Sequence, residues 1–342
     1  MSQLRVATFN LLHGQPMDRA GRPMPITRPD ERHPEEGHPE EGRPEEGRPG
    51  EGGPRPAADA TGPLADAIAA LDADVLALQE VDRFQERSGL VDQAAVGAKA
   101  LGARDYRFAA AVVGRPAPVA GWVHAPDATA LRVYGPDDAG RDADQPAYGT
   151  ALLTRLPVLH WRARRFPAAP FGLPLRVAGR RGLTPVPDEP RAALAAVLDG
   201  PAGPFTVVAA HLSFVPGWNM GQLAGMRRWI ADLPMPYLLL GDFNLIGPVP
   251  RTVLGGASVM DSGRLPLRPR ARRPRRAASP RGRLQGWHDL ARTPTYPAHR
   301  PTVQFDHVLA VGVPRTAVQR VETPTSGVSD HRPLLVEIAL PR

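Results

Sequence analysis

The chain has 342 residues, of which 42% are hydrophobic and 23% are charged, a composition typical of globular proteins with a sizeable core. It contains no cysteine, which excludes disulfide frameworks, thiolate metal centres and cysteine nucleophiles. The formal net charge is +7, and almost all of the basic residues are arginines, whose guanidinium groups bind phosphate well. An arginine-rich, lysine-poor composition is, however, also typical of a GC-rich genome.

The N-terminus leads directly into a strand-like pattern. No secretory h-region precedes Leu4, and no apolar run approaches the ~18 residues that a membrane-spanning helix needs. We therefore expect a cytoplasmic protein without a transmembrane segment.

Short apolar or alternating runs, each bounded by Gly, Pro, Asn or Asp, predict strands along most of the chain. In chain order they cover Leu4–Phe9, Val75–Gln79, Arg107–Val113, Gly149–Thr154, Val158–Phe166, Ala192–Leu198, Phe205–Ala210, Tyr237–Gly241, Gln304–Ala310 and Leu334–Ile338. Helical spacing predicts helices over Pro63–Leu71, Asp92–Leu101 and Met220–Leu233. Strands with helices set between them indicate an α/β fold in which sheets pack face to face with helices outside.

The length allows two domains of roughly 150 residues, but one large α/β domain fits equally well. We predict a single domain over residues 1–342 that is interrupted by two inserts. The first insert, residues 30–57, carries (H/R)PEEG repeats and almost no apolar residues, so we expect it to be disordered. From Asp30 to Glu51, nine acids face three arginines, which fits a solvated surface loop better than a binding tail.

The second insert, residues 262–285, is an Arg/Pro-rich loop. Between Arg264 and Arg283 it contains nine arginines and no acidic residue. Clustered arginines bind polyanions because they release counterions from phosphates, so nucleic acid is one candidate partner. A solvated insertion is the alternative, and the opposite charges of the two inserts also allow them to contact each other.

Polar residues stand beside the apolar strands in a recurring pattern. Carboxylates, amides and histidines at strand ends of an α/β protein meet at one rim, where ligands bind. Such a set suits a hard cation such as Mg²⁺ together with a phosphate group. The residues in this position are Asn10, Glu80, His211, Asp242, Asn244, Asp306, Asp330 and His331.

The motifs that carry these residues occur in a familiar order. They read FN, LQEVD, AHL, GDFN, FDH and SDHRP between positions 4 and 338. In this order they resemble the endonuclease/exonuclease/phosphatase family, and the resemblance covers the chain outside the two inserts. It implies a DNase I-like four-layer α/β/β/α sandwich and hydrolysis of phosphoesters, most often phosphodiesters, assisted by a divalent metal.

The resemblance also implies metal-site roles. Glu80 resembles the main metal ligand, with Mg²⁺ or Mn²⁺ as the expected ion. Asn10 resembles its neighbour, which holds metal-bound water or a phosphate oxygen, and Asp330 resembles a further ligand. Arg191, which starts a predicted strand, is a candidate substrate-binding residue because its side chain can reach the rim.

Catalytic roles follow from the same resemblance. Asp242 resembles the residue that orients and deprotonates the attacking water, and Asn244 one that clamps a phosphate oxygen. Asp306 resembles the partner that fixes the imidazole of His331. His211 stands where some branches of the family place a histidine that assists the leaving group. Elementary chemistry agrees, because in-line hydrolysis needs a base near the water, neutralised phosphate oxygens and a proton donor.

Several alternatives remain open at this point. Each of these side chains can instead cap a turn or end a strand, as Asn10 and Glu80 illustrate. The sequence AHLSF and the text QEVD differ from the abasic-site nucleases, so other branches are closer. A DNA or RNA nuclease that uses the Arg-rich loop, a sphingomyelinase-like lipid phosphodiesterase and an inactive binding module are all compatible with the fold. Neither the substrate nor the oligomeric state follows from the sequence.

Overall fold

The computed structural model describes residues 2–24, 61–117, 121–125, 130–175, 182–261 and 286–340. Both predicted inserts, 30–57 and 262–285, lie outside the described residues. In chain order the strands are β1 Ser2–Asn10, β2 Val75–Arg83, β3 Asp105–Ala117, β4 Gly121–His124, β5 Arg132–Tyr134, β6 Ala147–Thr154, β7 Val158–Phe166, β8 Leu173–Leu175, β9 Thr184–Val186, β10 Arg191–Gly200, β11 Gly203–His211, β12 Tyr237–Asp242, β13 His288–Asp289, β14 Asp306–Val311, β15 Val318–Glu322 and β16 Leu334–Leu340. The helices are α1 Gly62–Ala69, α2 Gln93–Leu101, α3 Trp218–Trp229 and α4 Val249–Asp261.

Two large mixed sheets form the centre of the protein. The first has the order β15-β16-β1-β2-β6-β3-β4, with β5 paired to β3, and the second has the order β13-β14-β12-β11-β10-β7. The pairs β1/β2 and β11/β12 are parallel, whereas β16 and β14 run antiparallel to their neighbours β1 and β12. Strands β16 and β14 therefore start at the same end of their sheet at which the parallel strands end.

Alternation along the strands explains the layers. On β1, Leu4 and Val6 face the second sheet, and Ala7 and Phe9 face the opposite side. Because successive strand side chains point to opposite faces, a strand that is apolar at every position is buried on both faces. Although Arg5 and Thr8 interrupt this pattern, both faces of β1 carry buried apolar residues, so LRVATFN belongs to an inner layer that is covered on both sides.

Helices cover the outer face of each sheet. Residues of α1 and α2, including Ile68 and Leu101, pack on the first sheet, and residues of α3 and α4, including Met226 and Leu254, pack on the second. This is the predicted four-layer α/β/β/α sandwich, and the α/β prediction is confirmed. Within the described residues, no helix is long and apolar enough to cross a membrane.

The structure corrects the sequence prediction at several elements. Helix α4 was not predicted, because Pro250 and the pair Gly255-Gly256 are poor helix formers. The buried contacts of Leu254 against the second sheet compensate for this local weakness. Strand β14 begins at Asp306, two residues after the start of the predicted strand Gln304–Ala310, and the short strands β4, β5, β8, β9, β13 and β15 were missed.

Candidate active site

The strand registers bring three candidate residues side by side. His211 pairs with Asp242 across β11 and β12, and Asp242 pairs with Asp306 across β12 and β14. All three lie on strand positions in phase with residues that face the other sheet, such as Leu240. Together they place an imidazole and two carboxylates at one mouth between the two sheets.

Asn10 joins the two sheets at this mouth. It ends β1 of the first sheet, and its Nδ2 donates to Glu80 Oε1 at 3.1 Å and to Asp242 Oδ2 at 3.0 Å. The backbone amide of Leu12 donates to Asn10 Oδ1 at 3.0 Å and fixes the orientation of the side-chain amide. Two carboxylates from different sheets thus converge on one buried asparagine.

Glu80 lies within β2, not at the start of a loop as its position after Gln79 suggested. The pairing of β2 with β6 shifts between Leu78 and Val81, and Glu80 has a φ of 54°. A non-glycine residue in this region costs on the order of 1–3 kcal/mol and is typical of functional sites. Such irregularities in a strand re-aim side chains towards an active site.

The surroundings of Glu80 disfavour its negative charge. Burial raises its pKa to about 7, the hydrogen bond from Asn10 opposes this, and the charges of Glu189 and Asp330 raise the pKa further. The pKa of Asp330 is itself raised, chiefly by burial. A divalent cation relieves the repulsion among such carboxylates, so this donor set fits Mg²⁺ or Mn²⁺.

Asp242 and Asn244 form a tight local turn after β12. The backbone amide of Asn244, with a φ of 49°, donates to Asp242 Oδ1 at 2.9 Å, and Asn244 Nδ2 donates to the carbonyl of Leu212 at 3.0 Å. Burial raises the pKa of Asp242 to about 6, with His331 opposing and Asp306 reinforcing the shift. The carboxylate is therefore mostly ionised at neutral pH, which is the form that can accept a proton.

The structure brings Asp306 and His331 together. His331 Nδ1 lies 2.8 Å from Asp306 Oδ2, which also accepts a hydrogen bond from the hydroxyl of Thr295 at 2.5 Å. Burial disfavours the imidazolium, but the adjacent Asp306 outweighs it and raises the pKa of His331 to about 10. His331 is accordingly a cation at neutral pH, and its Nε2 lies 3.9 Å from Asp242 Oδ2.

Ser329 was not among the sequence candidates. Its hydroxyl donates to the carbonyl of Asn10 at 2.6 Å and accepts from the backbone amide of His331 at 3.0 Å. This pair of bonds ties the segment that carries His331 to the end of β1. The serine of the SDH motif was the available signal, since a serine two residues before a catalytic histidine can cap its turn.

His211 has the opposite character. The guanidinium of Arg191 donates to His211 Nδ1 at 2.9 Å. Donors also lie near Nε2, with Arg191 at 3.3 Å and Asn244 Nδ2 at 3.4 Å, but the contact to Nδ1 is the shortest. Because arginine is only a donor, this contact favours Nδ1 as the acceptor and the proton of the neutral ring on Nε2. Burial and then the charge of Arg191 lower the pKa of His211 well below its usual value. Nε2 lies 3.8 Å from Asp242 Oδ2.

Arg191 is positioned by Glu189, which sequence reasoning also missed. One carboxylate oxygen of Glu189 lies 2.9 Å from the Arg191 guanidinium, and Arg191 is buried at the start of β10. The acidic residue two positions before Arg191, in the text DEPR, was the only sequence signal for this pair. Arg191 therefore reaches the rim as expected, and its contact there is the ring of His211.

A second grouping can also hold a cation. Ligand atoms of Asp242, Asp306 and His331 all lie within 4.8 Å of one another. However, the hydrogen bonds to Thr295 and His331 already occupy Asp306 Oδ2. A protonated imidazole has no lone pair at Nε2 to offer a metal, so the carboxylate of Glu80 is the better anchor for a cation.

The comparison with known families agrees with this arrangement. The model of the endonuclease/exonuclease/phosphatase family matches residues 7–331, nearly the whole chain. The chain belongs to the endonuclease/exonuclease/phosphatase family. Members of this family are phosphoesterases that typically depend on divalent metal ions. All candidate site residues, from Asn10 to His331, lie within the matched region.

Solved structures show the same fold. An endonuclease/exonuclease/phosphatase from Beutenbergia cavernae is 18% identical with a TM-score of 0.52, and the match covers 99% of this chain and 72% of that one. A family protein from Leptotrichia buccalis is 12% identical with a TM-score of 0.51, covering 98% and 100%. No curated protein matches the chain at a significant level. At these identities the likeness concerns the fold.

Proposed function

We propose that this chain is a Mg²⁺- or Mn²⁺-dependent hydrolase of phosphodiester bonds. The observation that carries the proposal is the convergence on Asn10 of the carboxylates of Glu80 and Asp242, which come from different sheets. One cationic and one neutral histidine flank Asp242. Glu80, supported by Asn10 and Asp330, would hold the cation. When bound, that cation supplies charge neutralisation for the phosphate oxygens.

The residues of the chain supply the remaining chemistry. Asp242 orients the attacking water and accepts its proton as the new bond forms between the water oxygen and phosphorus. The bond from phosphorus to the alcohol oxygen breaks, and the imidazolium of His331 gives that oxygen a proton. His211 donates from Nε2 to a phosphate oxygen as charge builds up in the transition state, and Asn244 binds another oxygen.

Hydrolysis of bis(p-nitrophenyl) phosphate tests this proposal. We expect activity with Mg²⁺ or Mn²⁺ that EDTA abolishes, and a fall of at least about 100-fold in Asp242→Asn and His331→Ala, as is usual for acid–base residues. Asp199→Asn and His160→Ala, at exposed positions of β10 and β7, are matched controls that should keep full activity. Activity that survives both active-site substitutions would contradict the proposal, as would a folded wild type that is inactive on every phosphoester offered.

A nuclease is the second candidate, and one observation favours it. The buried carboxylate of Asp289 faces three partly exposed arginines, with Oδ2 3.2 Å from Arg251, 3.3 Å from Arg292 and 3.6 Å from Arg315. One carboxylate neutralises only one of these three charges, so two positive charges remain at this surface. The Arg264–Arg283 segment lies between Arg251 and Arg292 in the sequence. Such a surface suits the phosphate backbone of nucleic acid.

Salt dependence tests the nuclease candidate. We expect cleavage of DNA or RNA whose KM rises steeply with salt, and a shallower dependence after Arg251→Gln and Arg292→Gln, because each lost phosphate contact lowers the salt slope by about one. The matched control Arg162→Gln removes an arginine that is paired with Asp232 elsewhere on the surface. An unchanged slope would exclude this surface from nucleic-acid binding.

A further inference from the structure

A cavity of about 230 Å³ lies beside the active site. Strands β3 and β4 form one side and the chain before β10 forms the other, with Arg87, Trp122, His124, Pro187, Asp188 and Glu189 in its lining. The volume is below the roughly 300–1,000 Å³ of cavities that hold drug-sized ligands, so it is matched to a single ring rather than to a larger molecule.

A direct chain of contacts connects this cavity to the active site. Trp122 Nε1 donates to Glu189 Oε2 at 2.7 Å, and the other carboxylate oxygen of Glu189 lies 2.9 Å from the Arg191 guanidinium. Arg191 in turn donates to His211. Only the side chains of Glu189 and Arg191 therefore lie between the indole of the cavity wall and the imidazole of His211, whose Nε2 is 3.8 Å from Asp242 Oδ2.

The aromatic wall of the cavity is held rigidly. Trp122 packs on Tyr148 with ring centroids 5.1 Å apart, and the Arg87 guanidinium lies 5.5 Å from each of the two rings. Asp82 is buried and fixes that guanidinium through two hydrogen bonds, at 2.8 and 2.7 Å. A preorganised indole loses little freedom on binding, which makes it an effective stacking surface.

The polar groups of the wall are mainly acceptors. Asp188 Oδ2 accepts from the amide of Ala169 at 2.6 Å and from the hydroxyl of Ser213 at 2.8 Å. Its Oδ1 is buried and has no hydrogen-bond partner among the described residues. That oxygen has no exposed surface, so the acceptor that a ligand in the cavity can reach is the carboxylate of Glu189, whose side chain is 19% exposed.

We propose that this cavity binds a ring carrying hydrogen-bond donors, which belongs to the alcohol part of the phosphoester substrate. A nucleobase offers its flat face and a pyranose its C–H face for packing on Trp122, and both carry N–H or O–H groups for the carboxylate of Glu189. The statement that the ring belongs to the substrate rests on the proposed function. Ring binding itself needs no catalysis and can be measured separately.

Binding is tested by NMR of the full-length protein without metal. The indole N–H signal of Trp122 is assigned from the spectrum of Trp122→Phe, and nucleosides, methyl hexosides and glycerol are titrated in turn. We expect one ring class to shift this signal saturably and glycerol to leave it unchanged. The signal of Trp161 is the internal control, since its indole also donates to a carboxylate, that of Asp105, at 3.0 Å.

Both sources of the ring are separated by this titration. A shift with nucleosides alone assigns a nucleobase, and a shift with hexosides alone assigns a sugar. If no ring compound shifts the Trp122 signal at tens of millimolar, or if Trp161 shifts equally, the cavity is not a ring subsite and the proposal is overturned. Because no turnover is measured, such a result is distinct from failure of the proposed hydrolysis.

Kinetics connect the cavity to the substrate. For p-nitrophenyl phosphodiesters of thymidine, a methyl hexoside and glycerol, we expect Trp122→Ala to raise KM about tenfold for the ring ester that binds and to leave the glycerol ester unchanged, within the range of one aromatic stacking contact. Trp122→Phe keeps a ring and should retain the preference, and Trp161→Ala should resemble wild type. Equal losses on all three esters in Trp122→Ala would mean that Trp122 only supports Glu189, which overturns the proposal.

Discussion

The two histidines of the site lie almost equally far from Asp242, and yet His331 is cationic and His211 is neutral. Nε2 of His331 is 3.9 Å and Nε2 of His211 is 3.8 Å from the same carboxylate oxygen. The partner behind each ring makes the difference, an aspartate behind His331 and an arginine behind His211. The residue behind a histidine, rather than the group in front of it, thus decides whether it carries charge.

Removing the aspartate should have the largest effect on this contrast. In Asp306→Asn the pKa of His331 should fall from about 10 towards its ordinary value of 6.5, because the carboxylate that stabilises the imidazolium is lost. We expect kcat/KM at pH 8 to fall at least about 100-fold and the basic limb of the pH–rate profile to move down. Imidazole NMR titration measures the pKa, with Asp199→Asn as the control. An unchanged basic limb would show that His331 does not act as a charged group.

Metal removal tests the two carboxylates that converge on Asn10. The folded-state pKa values of Glu80 and Asp242, about 7 and about 6, lie above their ordinary values of 4.5 and 3.8. The folded state therefore binds protons more tightly than the unfolded chain, and this stabilisation is complete below about pH 4 and lost as pH rises to about 7. In EDTA, the melting temperature should therefore fall as the pH is raised from about 4 to about 7.

Added Mg²⁺ should raise the melting temperature again at neutral pH. At a concentration of 100 times its Kd, it should add about 2.7 kcal/mol to the free energy of unfolding. Glu80→Gln should weaken Mg²⁺ binding in isothermal titration and flatten the fall of the melting temperature in EDTA. Glu322→Gln, on the edge strand β15, is the matched control. If Glu80→Gln binds Mg²⁺ as wild type does, the cation is held elsewhere, with the Asp242, Asp306 and His331 group as the alternative.

Removing the arginine should have a smaller effect, on the other side of the contrast. In Arg191→Met, the pKa of His211 should rise and its Nδ1 should lose its donor, so both ring tautomers become populated. We expect kcat/KM to fall about tenfold, less than the loss of a full acid–base group. Nitrogen-15 shifts of the imidazole report the tautomer. Arg165→Met removes a half-buried arginine of β7 and is the control; an unchanged tautomer in Arg191→Met would refute the assignment.

The smallest effect should come from Ser329, which supports only the His331 side. Ser329→Ala removes the bonds to the carbonyl of Asn10 and from the amide of His331, and should lower the free energy of unfolding by about 1–3 kcal/mol. We expect kcat to fall a few-fold while the His211 tautomer stays unchanged. Thermal unfolding and the imidazole spectrum measure the two effects, with Ser326→Ala as the control. A changed His211 signal would mean that the two flanks are coupled.

Much of the fold was predictable because burial on both faces produces a recognisable run of apolar residues, as in TVVAAH and YLLLGD. Helix α4 was not predictable in this way, since Leu254 is stabilised by the sheet against which it packs and not by its neighbours in sequence. In the site, the strand-end residues Asn10, His211 and Asp242 were identified, because one rim collects the ends of parallel strands. Thr295 and Ser329 were missed, since they bond to Asp306 and Asn10, which are distant in sequence. Glu189 was missed although Arg191 is only two residues away, since no local pattern shows that these two side chains meet at the rim.

The sequence by itself determined the family, the layered fold and a set of candidate site residues, because these depend on local periodicity and on short motifs in a fixed order. Only the tertiary structure decided how those side chains are charged. Arg191 lies twenty positions from His211 and Asp306 twenty-five from His331. A pKa depends on burial and on charges within a few ångströms, and neither quantity exists until distant segments of the chain are packed together.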